Sequence, residues 1–463
     1  MTEVTVAQLA DAIRARDVAT VRAMLSVRPA LVNMAVAEND ERRALHFAVL
    51  DRSADMTRLL MQLGADGREG IYPHRDATSA LTIATERGYD EIVAIITNEE
   101  QLRRERCAES SRQSGDAEQT EDDAAAAVRR GDVAWIRARC AEGSLVNSIG
   151  DSGGLLTLAV THDRPEILGL LLEYGFDPNE RKRLDDVEEV VYSAGFPLWH
   201  CAALGRHEMA KMLLERGANP NVHVYASGSP VYSAYRRRQP AMIELLRHYG
   251  GVVGADIVGL YRETGLARQM LADESHGPLP AGMVSRGRTV AEDLLDFGSC
   301  GGDPEIVRMA LEHIDWPRDD PRWFWMLGRS LETDSDDGSH LECFRRVLAR
   351  SGPDVIGRFG RTTLHEVAAA RERISPSEAE AFATSLLDAG ARMDVRDDLL
   401  KSTALGWASR WGRIEIVRLL LQRGADPVER DTEPWAAPRA WAEKMGHAGI
   451  AAVLREEELG SRR

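Results

Sequence analysis

The chain has 463 residues and a formal net charge of -16. An acidic total argues against general binding to nucleic acid or to anionic membrane, since both need basic patches. No run is apolar enough to span a membrane, and the opening MTEVTVAQLADAIRARD lacks the layout of a secretory signal, so a cytoplasmic location is expected.

Five cysteines, Cys107, Cys140, Cys201, Cys300 and Cys343, are scattered without paired spacing. Cys140, Cys201 and Cys343 fall within helical patterns and read as small buried hydrophobes in a reducing compartment. Lys182, Lys211, Lys401 and Lys444 are the lysines. So strong a bias towards arginine fits a GC-rich, bacterial genome.

The first predicted element is a polar helix pair over Val4 to Val32. Leu9, Ile13, Val21 and Leu25 face inward, and Asp11, Arg14, Arg16 and Arg22 face water, as an end cap requires. Arg43 to Asp66, RALHFAVLDRSADMTRLLMQLGAD, reads as helix, tight turn, helix and closing glycine. A long connector, GREGIYPHRDAT, carries Tyr72, His74, Arg75 and Asp76, types that bind ligands or exchange protons. Ser79 to Ile96 gives a further pair. From Glu100 to Asp123 the chain is polar and poor in apolar residues. It reads as a flexible link or as an extended helix end followed by a loop. The pattern resumes with DAAAAVRRGDVAWIRARCAEG, turning at Gly131 and Asp132.

Leu155 to Asn179 is another unit, followed by the connector ERKRLDDVEEVVYSAG. Its Val187 to Tyr192 part reads as a strand or finger hairpin, bringing Asp185, Asp186, Glu188, Glu189 and Tyr192 towards the concave side. Phe196 to Asn221, FPLWHCAALGRHEMAKMLLERGANPN, is the clearest unit. Pro197 opens it, Gly205 breaks the first helix, Met209, Met212 and Leu213 share a face of the second, and Gly217 closes it. The next unit, SPVYSAYRRRQPAMIELLRHYG, has Arg236, Arg237 and Arg238 in its turn, and its lead-in holds His223 and Tyr225. Beyond Gly250 the pattern degrades. One pair is read about Gly265 and another about Gly301 to Pro304. Trp316, Trp323, Phe324 and Trp325 read mainly as a core plug. TTLHEVAAA restores the pattern at Leu364 and His365, with Arg371 to Pro376 lengthening the turn. Thr403 to Asp426 and APRAWAEKMGHAGIAAVL complete the array.

These stretches resemble ankyrin repeats, whose pattern is T-P-L-H-x-A-A followed by a glycine turn and a second helix. Self-similarity at this period is the sequence sign of a solenoid. The resemblance implies an all-α solenoid of roughly a dozen helix-turn-helix units with long finger loops. The segments are 1–103 as an N-terminal stack with its cap and 104–122 as a polar link or long loop. Central repeats at 123–250, degenerate pairs at 251–360, and repeats with a cap at 361–463 follow. The resemblance also implies that His46 ties backbone between repeats, and that Trp199 and Tyr232 occupy the same slot.

No nucleotide loop, nucleophile elbow or metal-ligand spacing is present in the sequence, and no cofactor is expected. The family implies protein recognition, with a partner on the concave face through Tyr72, Arg75, Tyr192, Trp199, His200, Tyr225, Tyr232 and Arg236. Aromatic and arginine enrichment is what interfaces use. The opposing reading is a set of independently solvated loops with two aromatic core substitutions. A second functional reading is an enzyme or small-molecule binder in the same groove. His74, Asp76, Glu188, Glu189 and His223 would be its acid–base groups, which must then converge within hydrogen-bond reach.

Overall fold

A computed structural model describes residues 5–36, 41–71, 75–113, 123–145, 147, 149, 153–183, 192–194, 196–224, 228–274, 283–285, 287–331, 338–369 and 374–460. At 75–76, 104, 106–113, 183, 192–194 and 460 the backbone alone is described. The chain divides into two compact units, Met1–Gly251 and Val252–Arg463.

In the first unit, α1 (Val6–Arg14) and α2 (Val18–Val27) form the opening pair, and α3 (Ala44–Leu50) and α4 (Ala54–Gln62) the next. The short α5 (Arg75–Thr78) precedes α6 (Ala80–Glu86) and α7 (Asp90–Gln113). The pairs α8 (Asp123–Arg130) and α9 (Val133–Ala141), then α10 (Leu155–Thr161) and α11 (Pro165–Glu173), follow. A two-residue strand β1 (Lys182–Arg183) pairs antiparallel with β2 (Tyr192–Ala194). Of the Val187 to Tyr192 part read as a strand or finger hairpin only Tyr192 is described, and residues 184–191, with Asp185 and Asp186, lie outside the described residues. The unit ends with α12 (Pro197–Leu204), α13 (His207–Glu215), α14 (Pro230–Arg236) and α15 (Pro240–His248).

The second unit continues the alternation. Its pairs are α16 (Ala255–Leu260) with α17 (Thr264–Glu274), α18 (Val290–Gly301) with α19 (Pro304–Leu311), and α20 (Arg322–Arg329) with α21 (Ser339–Arg350). Then come α22 (Thr363–Ala368) with α23 (Pro376–Asp388), α24 (Ala404–Arg410) with α25 (Ile414–Gln422), and α26 (Pro438–Lys444) with α27 (Ala448–Gly460).

First helices pack on first helices and second on second. The inner layer of the second unit runs α16, α18, α20, α22, α24, α26, and the outer layer joins α17, α19, α21, α23, α25 and α27. In the first unit α1, α3 and α6 adjoin in that order, as do α8, α10, α12 and α14. Each unit is stacked as in an ankyrin-repeat solenoid, in which each pair buries its apolar face only against its neighbours. Leu9, Ile13, Val21 and Leu25 are buried in the opening pair, as their spacing predicts. Cys140, Cys201 and Cys343 are buried too.

Of the two readings open after Glu100, the extended helix end is found, and two other elements differ for local causes. The polar stretch after Glu100 continues α7 to Gln113, and residues 114–122 lie outside the described residues. Its polar side chains hold it back on the preceding repeat: Arg68 donates to the Glu100 carboxylate at 2.8 Å, and Arg103 donates to the Ala65 carbonyl at 2.8 Å and to that of Met61. The pair read about Gly265 turns instead at Tyr261 to Glu263, with Arg262 left-handed at φ 58° and Gly265 inside α17. Of the aromatic run, Trp323 and Phe324 are core, whereas Trp325 is 45% exposed.

Each inner helix must leave through a tight turn, for which glycine carries no Cβ penalty. Gly205 does this after α12 at φ 72°, but Arg238 holds the equivalent place after α14 at φ 52°. A left-handed L-residue costs roughly 1–2 kcal/mol, partly offset by the lower entropy of its unfolded state. Arg238→Gly is therefore expected to raise stability by up to about 1 kcal/mol, read as a higher urea midpoint with an unchanged slope. A lower midpoint would show that the turn is not strained.

Histidines lock neighbouring repeats. The His46 Nδ1 accepts the Arg43 N–H at 3.1 Å, and its Nε2 donates to the Thr78 carbonyl at 3.1 Å. His365 repeats this, taking the Thr362 N–H at 3.1 Å and donating to the Ser402 carbonyl at 3.1 Å. Each ring must then be neutral, with its proton on Nε2.

Glutamates make a second lock. Glu180, 3% exposed, takes the Thr157 N–H at 2.6 Å and the Asn147 amide at 2.8 Å, so it caps α10 from the next repeat. Burial pushes its carboxyl above the usual range, and these donors offset only part of that. Glu429, also buried, bonds the Thr403 hydroxyl at the start of α24. Glu69 lies 3.5 Å from the guanidinium of Arg43, at the start of α3. All three stand five residues after a left-handed glycine: Gly64, Gly175 and Gly424.

Candidate interaction face

The buried faces of the inner helices are set by helical spacing, and the exposed remainder forms the candidate site. On α12, Pro197, Leu198, Cys201 and Ala202 are buried. That leaves Trp199 and His200 half-buried and Leu204 49% exposed. The Trp199 and His200 rings meet edge to face at 5.1 Å. Burial pushes the His200 imidazole below its usual range, so the pair is uncharged at neutral pH. On the adjoining α14, Pro230, Val231, Ser233 and Ala234 are buried, Tyr232 and Tyr235 are half-buried, and Arg236 is exposed.

Tyr232 is fixed from below. Ser229 caps α14 by accepting the Tyr232 N–H at 3.1 Å. The ring covers Gly228, where a Cβ would lie 2.7 Å from it. Gly228 is held by an isolated bridge to Val224, so the lead-in and the aromatic ring order each other.

Of the residues expected to bind, α12 and α14 place Trp199, His200, Tyr232 and Arg236 on adjoining helices. His223 is exposed on the lead-in to α14. Tyr192 lies in β2, and Arg75 and Asp76 lie in α5, with side chains outside the described residues. Tyr72, His74, Glu188, Glu189 and Tyr225 lie outside the described residues altogether. Among the described residues no group of three or more His, Cys, Asp or Glu side chains is arranged to hold a metal ion.

Sequence reasoning missed Leu204 and Tyr235, which follow the buried Cys201 and Val231 by three and four residues and so read as inward-facing, whereas both lie in the last turn of their helices and remain partly or largely uncovered. It also missed a patch in the second unit. Trp325 and Ile356 are 45% and 46% exposed, and the Arg358 guanidinium lies 5.6 Å from the Trp325 ring centre.

Fold and face together define a helical repeat protein that offers an aromatic surface from its inner helices. The repeat is the ankyrin repeat: the family model for three copies matches residues 335–431, and the single-repeat model matches residues 195–224. No curated protein matches the chain. No helix among the described residues is long and apolar enough to cross a membrane.

Proposed function

We propose that the chain is a non-catalytic scaffold that binds another protein on the inner-helix face of its first unit. Ankyrin repeats are commonly protein-interaction modules. The carrying observation is the pair Trp199 and Tyr232. At the slot where His46 and His365 are buried in backbone bonds, α12 and α14 leave large aromatic rings partly exposed. Such rings supply contact area at low entropic cost and dominate binding energy where they are enclosed by a partner. A reducing bacterial cytoplasm fits the buried thiols, of which burial pushes Cys343 up to about 12 and Cys201 higher still.

The test is affinity capture from source lysate with quantitative mass spectrometry. Wild type is run beside Trp199→Ala/Tyr232→Ala, with circular dichroism confirming that both are folded. At least one protein is expected to fall roughly tenfold or more with the variant, the loss of about 1.4 kcal/mol or more that an aromatic anchor carries. Identical recoveries from both baits would overturn the reading.

A further inference from the structure

A run of three arginines begins on the same face and continues into the turn after α14. Tyr232 and Arg236 lie four residues apart on α14, so they sit one turn apart on one side. Arg236, Arg237 and Arg238 are all exposed, and among the described residues none of the three makes an ion pair. Other arginines of this unit tie repeats together. Arg206 pairs with Asp163 at 2.8 Å, Arg164 donates to the Arg129 carbonyl at 2.8 Å, and Arg216 donates to the Leu172 carbonyl at 2.8 Å.

Acidic residues outnumber basic ones by 74 to 58, so partners for these three were available within the chain. Helix-end stabilisation does not account for the run. A cation in the last turn of a helix favours the exposed carbonyls by a few tenths of a kcal/mol, and one arginine there is enough. An exposed guanidinium one turn from Tyr232, with two more exposed arginines next to it in sequence, instead matches carboxylates beside an apolar side chain. Arginine meets carboxylate in a two-pronged geometry, and clustered charge of one sign steers an oppositely charged segment inward.

We propose that this face takes an acidic segment of the partner protein, with an apolar side chain against Trp199 and Tyr232 and carboxylates on Arg236 and Arg237. The proposal rests on the scaffold reading and names the chemistry of its partner. Aromatic contacts then set how long the segment stays, and the arginines set how fast it arrives and how strongly salt opposes it.

The test uses fluorescence anisotropy with the full chain and three labelled probes: a short peptide alternating leucine and aspartate, its leucine–lysine counterpart, and an oligothymidine of similar length. The leucine–aspartate peptide is expected to bind, and more weakly as salt rises. Arg236→Glu/Arg237→Glu is expected to weaken it roughly tenfold or more and to flatten the salt dependence, and Trp199→Ala/Tyr232→Ala to weaken it comparably at all salt concentrations. Arg236→Gln/Arg237→Gln, which removes charge without reversing it, is expected to fall between. Equal binding by wild type and the arginine variants would overturn the proposal, as would binding of the lysine peptide or oligothymidine as tightly as the aspartate peptide. Sedimentation showing a wild-type dimer that the arginine variants abolish would assign the face to a second copy of the chain, and overturn it likewise. Should lysate capture lose a protein with the aromatic variant yet retain it with the arginine variant, the acid preference fails while the scaffold reading stands.

Discussion

Asp397→Ala is expected to destabilise the second unit by about 3–5 kcal/mol, the largest loss foreseen for any single substitution considered. The Asp397 carboxylate is 1% exposed and receives four donors. One oxygen takes the Leu399 and Leu400 N–H groups at 2.8 and 2.7 Å. The other takes the Ser402 N–H at 3.1 Å and the Trp407 indole N–H at 2.9 Å. Alanine would strand all four buried donors, three in the loop and one on α24, at roughly 1–3 kcal/mol each before relaxation. Relief from burying the charge offsets part of that sum. The damage should spread through Ser402, whose carbonyl holds His365 and whose hydroxyl takes the Trp441 indole N–H at 2.7 Å. Asp397→Asn keeps one acceptor oxygen but turns an amide on two donors, so its loss should be intermediate. Hydrogen exchange over residues 397–411, with urea denaturation, is the measurement. A variant within about 1 kcal/mol of wild type would mean that relaxation or water replaces the carboxylate.

Acid should weaken the first unit through His46. Burial, with Arg43 beside it, lowers the imidazole pKa from 6.5 to about 4. A folded pKa below the unfolded one contributes stability that is fully present above pH 6.5. That stability is lost as pH falls towards 4, because the unfolded chain takes up the proton first. At about 1.4 kcal/mol per unit, the window carries roughly 3 kcal/mol. The geometry gives the same sign, since a second proton on Nδ1 would face the Arg43 N–H. His46→Gln is expected to be less stable at neutral pH but to lose less between pH 6.5 and 4. Parallel stability curves for the two proteins would refute this, as would an imidazole resonance titrating near 6.5.

Much of this architecture is written in local pattern. The run from Pro197 to Gly217 carries its own helix starts, stops and buried spacing, and each feature appears where the residues place it. The equivalence of Trp199 and Tyr232 follows from aligning Pro197 with Pro230, and both open their helices. What escaped is set by contacts between repeats. The polar composition after Glu100 leaves a link and an extended helix end both open, and the contacts of Arg68 and Arg103 between α7 and the preceding repeat cannot be read from it. The turn at Arg262 escaped because an arginine fills a place that the pattern reserves for glycine. Glu180 and Glu429 look like loop residues until the helix starts they cap are seen, although their shared distance from a glycine was available to be noticed. At the site, the partial exposure of Trp199 required knowing how far α10 and α14 cover α12 on its two sides.

Asparagines stitch the loops in the same manner. Asn33 donates to the Gly64 carbonyl at 2.9 Å and accepts the Asp66 N–H at 2.8 Å, and Asn179 grips Gly217 and Asn219 at 3.1 and 2.7 Å. Asn221 passes the grip on to Gly250 at 2.8 Å. Every such stitch reaches one repeat onward and no further. Pulled from its ends, a chain built this way yields in separate steps, each paying out about 33 residues or roughly 110 Å of extended backbone. It would behave as a spring with discrete yield points, able to give length under load and wind back one repeat at a time.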